Sequence, residues 1–165
     1  MKYLTLILLS LFFISCNQKP GENKNYLAEI HKDSLQKILI NVDKSWSDSA
    51  QRKGYYKSRL DFAADNAIDL LDKEMPLIGK IAISEFVASH PDSSFTIQWK
   101  ALKAVASASG DLGCTFGSWT LKTKTKSGAD TTLYGDYMTV WQKQMDNSWK
   151  YILDGGNETP GEVKE

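Results

Sequence analysis

Around Pro91 the spacing of apolar residues changes from steps of three and four to strict alternation, and it does not change back. Between Tyr26 and Lys53, Ile30, Leu35, Ile38, Leu39, Val42 and Trp46 recur at helical steps with Lys, Asp and Gln between them. Gly54 closes that stretch, since glycine takes the left-handed conformation at a helix end. Tyr55 to Ala64 reads as a second helix carrying Leu60 and Phe62; Asp65-Asn66 then turns the chain into a brief strand, Ala67 to Leu71. Lys80 to His90 returns to helical spacing as the third helix, with Ile81, Ile83, Phe86 and Val87 as its apolar residues and Pro91 as its stop. Beyond Pro91 the pattern is that of strands. Phe95, Ile97 and Trp99 alternate with Thr96, Gln98 and Lys100 in a strand that continues to Ser107. Leu112 to Lys126 is the next, with Gly117 marking a bulge, and Tyr134 to Gly156 holds two more. Three helices followed by four long antiparallel strands predict an α+β domain. In it a curved antiparallel sheet wraps around three N-terminal helices to make a cone-shaped barrel, with a pocket at the wide end.

The last hairpin fixes parity. A three-residue turn at Asp146, Asn147 and Ser148 puts Tyr137, Trp141, Trp149 and Tyr151 on one face and Met138, Val140, Ile152 and Asp154 on the other; a two-residue turn sets Trp141 beside Ile152 instead. In either register both faces carry large apolar residues, which a sheet with one wet side does not want. One face meets the helices and the pocket. The other is expected to meet a second copy of the chain, giving a homodimer through the sheet.

At the other end, Met1 and Lys2 precede an apolar run from Tyr3 to Ile14, broken only by Thr5 and Ser10. The run falls short of the ~20 residues of a membrane-spanning helix and has the order of an export signal. Phe13-Ile14-Ser15-Cys16 resembles the bacterial lipobox, in which a cysteine is acylated and becomes the first residue; leucine is usual where Phe13 stands. The resulting expectation is an exported membrane lipoprotein facing the periplasm or cell surface, anchored through lipidated Cys16; the alternative is an ordinary cleaved signal. The expected organisation is a signal peptide over 1–16, a flexible tether over 17–25, one domain over 26–157 and a polar tail over 158–165. With Cys16 lipidated, Cys114 is the only other cysteine and no intrachain disulfide forms. Lys plus Arg and Asp plus Glu balance at 20 each, so no global field draws the chain to nucleic acid.

Several stretches resemble one superfamily. Gly79-Lys80-Ile81-Ala82-Ile83-Ser84-Glu85-Phe86, Gly110 through Trp119, and the hairpin from Gly135-Asp136-Tyr137 to Asp154 are similar to segments of the nuclear transport factor 2-like, or ketosteroid isomerase-like and SnoaL-like, superfamily, in an uncharacterised branch. The resemblance covers about Leu35 to Asn157 and implies a cystatin-like α+β cone. Its steroid isomerases pair a base aspartate with a tyrosine and a protonated aspartic acid. Those positions fall near Trp46 or Ser47, at Leu71 and at Trp141, and none carries the chemistry.

The candidate ligand-binding residues are therefore the aromatics Trp46, Phe62, Phe86, Trp99, Phe116, Tyr137 and Trp141, lining a cavity for a small apolar molecule; each is equally a core residue on composition alone. Asp69, Asp72 and Asp154 are the carboxylates available for acid–base work. Asp69 has the parity of Leu71, and Asp154 also reads as a strand-end cap. Lys122, Lys124 and Lys126 read as a wet strand face guarding a sheet edge. His31 and His90 lie far apart and there is no glycine-rich phosphate loop, so neither metal nor cofactor is expected. The leading expectation is a ligand-binding protein rather than an enzyme, with an isomerase, lyase or cyclase as the alternative and an assembly module as a third reading. An open dry interior favours the first, a desolvated carboxylate opposite a hydroxyl the second, and a packed interior the third.

Overall fold

The computed structural model describes residues 20–91 and 94–163. Its elements are α1 (Pro20–Lys53), α2 (Tyr55–Phe62), β1 (Ala63–Leu70), β2 (Leu77–Ile78), α3 (Lys80–Ser89), β3 (Thr96–Ala106), β4 (Leu112–Lys124), β5 (Asp130–Lys143) and β6 (Trp149–Thr159). The sheet has six strands in the order β2-β1-β6-β5-β4-β3 and does not close into a barrel. It is mixed: the long strands pair antiparallel, whereas β1 runs parallel to β6. That pairing is long-range and leaves no mark on local sequence.

Several boundaries shift for physical reasons. α1 starts at Pro20, taking in much of the stretch read as tether, since a proline without an N–H suits the first turn of a helix. The export signal and Cys16 lie outside the described residues. β1 starts at Ala63, so Asp65-Asn66 lies within the strand, where a register shift between Ala63 and Ile68 absorbs it. The sheet extends to Thr159, pairing Glu158 with Gly135 in what was read as tail. The bulge expected at Gly117 lies on the neighbouring strand, between Ala101 and Lys103. Gly117 answers to packing: a Cβ there would lie 2.6 Å from the Tyr137 ring. β4, carrying Lys122 and Lys124, lies between β3 and β5 and forms no edge.

The core is aromatic. Trp46 of α1 stacks between Phe62 at 5.8 Å and Tyr151 at 4.9 Å, and meets Trp99 and Trp141 edge-on at 5.2 and 5.9 Å. Each such pair adds about 0.5–1.5 kcal/mol beyond area burial. Ser47 pins α1 to the sheet, its hydroxyl donating to the Trp99 carbonyl at 2.9 Å and accepting from the Trp99 N–H at 3.1 Å. The helices cover one face of the curled sheet; on the other, Val105, Leu112, Phe116 and Met138 are exposed.

Candidate functional site

In the last hairpin Lys143 pairs with Trp149 and Trp141 with Tyr151, so the loop is Met145–Asn147, with Asn147 at φ 66. It has three residues, the first of the two alternatives, set one place earlier than Asp146–Ser148, and Tyr137, Trp141, Trp149 and Tyr151 are all buried. Asp154 departs from the expectation. Between the Trp141–Tyr151 and Val140–Leu153 pairs β6 carries one extra residue, Ile152, so the alternation slips by one. Asp154 thereby comes opposite Thr139 on the inner face, rather than facing out or capping the strand, and accepts the Thr139 hydroxyl hydrogen bond through Oδ1 at 2.6 Å.

Asp154 stands where a recess meets its mouth. The recess, with about 40 Å³ of free space, is lined by Trp46, Tyr55, Ile97, Trp99, Trp119, Tyr137, Thr139 and Asp154. It shares Tyr55, Ile97, Trp119, Tyr137 and Asp154 with a wider mouth of about 370 Å³. Two glycines make space for the walls: Tyr137 leans over Gly117 and Trp119 over Gly135, where a Cβ would come within 2.1 Å of the indole.

Two charged side chains, Arg59 and Asp69, gather behind Asp154. Arg59 of α2 pairs through Nη1 with Asp69 Oδ2, lies 3.8 Å from Asp154 Oδ2 through Nη2, and sits 4.6 Å from the centroid of the Tyr55 ring. Asp69 and Asp154 are partners in the parallel β1–β6 pairing, which is what unites them. Tyr151 lies beside Asp69; burial first, and then the Asp69 charge, push its phenol well up. Burial works against the Arg59 charge, and the Tyr55 phenol with the Asp69 and Asp154 carboxyls around it outweighs that. Burial pushes Asp154 up to about 6, with Arg59 and Thr139 opposing and Asp69 and Asp43 adding to it.

Asp43 of α1 was not among the sequence candidates. It is fully buried and accepts hydrogen bonds from the Thr115 hydroxyl at 2.6 Å and the Tyr137 hydroxyl at 2.7 Å. Trp141 Nε1 donates in turn to Thr115 Oγ1 at 2.9 Å. Burial pushes Asp43 up to about 6 and the Tyr137 phenol well above its ordinary value. A signal existed: Asp43 lies four residues after Leu39 and three before Trp46, on the apolar stripe of α1. Arg59, also missed, is polar within a short helix whose pattern gave no inward face.

Of the aromatics named from the sequence, Trp46, Trp99 and Tyr137 line the recess. Trp141 and Phe62 pack behind it around Trp46, and Phe86 stacks on His90 at 3.9 Å in α3. Phe116 is on the opposite face at 40% exposure: on β4, Thr115 points inward and its neighbour must point out. Asp72 sits at the rim of the mouth, exposed and 3.2 Å from Lys73. Among the described residues no group of His, Cys, Asp or Glu gathers to hold a metal ion.

No protein-family profile and no curated protein sequence matches the chain. Solved structures match its fold. A ketosteroid isomerase-like protein from Erwinia carotovora atroseptica has 12% identity over 75% of this chain and 96% of its own, with a TM-score of 0.62. The calcium/calmodulin-dependent protein kinase II hub of S. rosetta has 13% identity over 75% and 96%, at 0.59. A hexachlorocyclohexane dehydrochlorinase from Novosphingobium barchaimii has 14% identity over 83% and 90%, at 0.57. The chain has the nuclear transport factor 2-like fold. At these identities the likeness is one of fold, and function must come from the site.

Proposed function

We propose that the mouth, with the recess behind it, takes up a small, largely apolar molecule and that Asp154 exchanges a proton with it, the chemistry of an isomerase or lyase. The observation that carries this is the position of Asp154: a desolvated carboxylate, one oxygen held by Thr139, at the junction of an aromatic recess and an open mouth. A value of about 6 lets it accept and return a proton near neutral pH. A passive carrier needs an interior without proton-moving groups, and Asp43 against the Tyr137 phenol, with Asp154 at the recess, speaks against that reading. Among fold relatives, the ketosteroid isomerase-like protein and the dehydrochlorinase bear names of the same reaction type.

The test is a proton-abstraction probe. Nitrobenzisoxazole loses its ring C–H proton to a base as its N–O bond breaks, giving a coloured cyanophenolate. The protein is expected to exceed the same concentration of acetate by about a hundredfold, with a rate that rises as Asp154 deprotonates and disappears in Asp154→Asn. A rate equal to that of acetate, or unchanged in Asp154→Asn, overturns the reading.

The same proposal places the domain outside the cytoplasm, held to a bacterial membrane through lipid on Cys16. Labelled palmitate incorporated by the wild type and absent from Cys16→Ser supports that anchor; equal membrane retention of both sinks it. The outer face of the sheet is proposed as a self-association surface, on its exposed apolar residues and on the hub and association domains among the fold relatives.

A further inference from the structure

We propose that the molecule taken up carries a positive charge, so that the recess and mouth form a receptor for a small organic ammonium ion. This rests on the reading of the recess as a binding site and adds the charge class of its ligand.

The walls suit a cation. Tyr55, Trp99, Trp119 and Tyr137 line the recess, and Trp46, with both ring faces covered by Phe62 and Tyr151, contributes an edge. One face of Trp119 is set against Gly135, which leaves the other toward the recess. Aromatic faces attract ammonium groups through their quadrupole, and more strongly where water is excluded. The wall already holds one cation in this manner, the Arg59 guanidinium over Tyr55.

The charge balance points the same way. The groups facing Asp154 are Arg59 and Tyr55 from α2, Asp69 from β1, Asp43 from α1, Tyr137 and Thr139 from β5, and Tyr151 from β6. Asp72 and Glu158 stand at the mouth, where Asp72 has Lys73 beside it. Arg59 is the one cation among the residues lining the mouth, and it donates hydrogen bonds to Asp69 and to the Tyr55 hydroxyl. Asp154, which shares Arg59 with Asp69 at 3.8 Å, and Glu158 therefore lie along the way in, and Asp43 lies behind the wall. An anionic ligand would meet carboxylates at every step. A neutral one leaves Asp154 to carry a desolvated charge, held only by the more distant Arg59 contact, whereas an ammonium ion offsets that charge where it is least solvated. Binding such an ion displaces the proton from Asp154, so affinity must rise with pH.

Choline and its uncharged isostere, with tert-butyl in place of trimethylammonium, have the same shape and differ in charge. Titration of the full-length protein is read by tryptophan fluorescence, since Trp99 and Trp119 line the recess. At about pH 7.5 choline is expected to bind at least about tenfold tighter than the isostere, and the ratio to approach unity near about pH 5. Asp154→Asn is expected to abolish the preference at the higher pH while still binding the isostere; should that variant not fold, the wild-type pH series decides alone. Equal wild-type affinities at the higher pH overturn the charge class and leave uptake standing. Binding of neither compound overturns both, and a preference that persists at low pH removes Asp154 as its source.

Discussion

Asp43 and Asp154 are two aspartates that burial pushes to the same value, about 6, and they are built differently. Asp43 has a hydroxyl on each oxygen, from Thr115 and Tyr137, and is sealed by the aromatic core. Asp154 has one hydroxyl, from Thr139, an arginine at 3.8 Å, and a cavity in front of it. A raised pKa therefore marks desolvation in both, and only Asp154 has a cavity in front of it. On this account Asp43 is a positioning group that holds Tyr137 upright in the recess wall.

The largest expected effect is on the pair behind both. Arg59→Leu leaves Asp69, itself fully buried, without its cation, and is expected to cost about 3–5 kcal/mol in urea unfolding near neutral pH. A loss under about 1 kcal/mol would mean that the Arg59–Asp69 pair holds the fold no better than an exposed ion pair does, and that the region behind Asp154 does not depend on it.

Next comes the pH dependence of stability. Between the unfolded value, 3.8, and the folded value of about 6, folded Asp43 holds a proton that the unfolded chain has released. Its stabilising contribution is thus complete below about pH 4 and is lost as pH rises through about 6, amounting to about 3 kcal/mol. Asp154 follows the same sign over the same window. Unfolding free energies for the wild type, Asp43→Asn and Asp154→Asn across that window separate the two. Each variant should flatten its own share, and a ligand that fills the recess should flatten that of Asp154 alone.

Tyr137→Phe comes third, at about 1.5–3 kcal/mol, because it removes a hydrogen bond to an ionisable buried group. It should also push Asp43 further up, since the hydroxyl it loses favours the charged form. Carboxyl resonances followed by NMR give both Asp43 and Asp154. If Asp154 moves as far as Asp43, the two acids form one network and the contrast between them fails.

The helices, the long strands and the aromatic face of the last hairpin were legible because each is a local period with a local stop: Gly54 after α1, Pro91 after α3, the Met145–Asn147 loop. The site was legible only in part. Trp46, Trp99 and Tyr137 announced themselves by size and parity. Asp154 was named but set on the wrong face, because a single inserted residue, Ile152, reverses alternation without any compositional sign. Asp69 joins Asp154 through a parallel pairing between distant strands, and Asp43 acquires its role from Thr115 and Tyr137, which local sequence does not connect.

Phe116 carries the smallest expected effect and tests the same lesson on the other side of the sheet. It was expected in the cavity, and the alternation on β4 turns it outward at 40% exposure, paired with Met138, itself 51% exposed. Phe116→Ser gives up the part of the ring that its own sheet covers, so unfolding at low protein concentration should fall by about 1 kcal/mol and choline affinity should not change. If two sheets meet through this face, the same substitution places a hydroxyl in an apolar contact, and sedimentation should show dissociation at protein concentrations where the wild type stays paired. A large loss of stability without any change in association would mean that Phe116 packs within its own chain. Its exposure would then owe nothing to a partner, and the outer face would be left with no reason for its apolar residues.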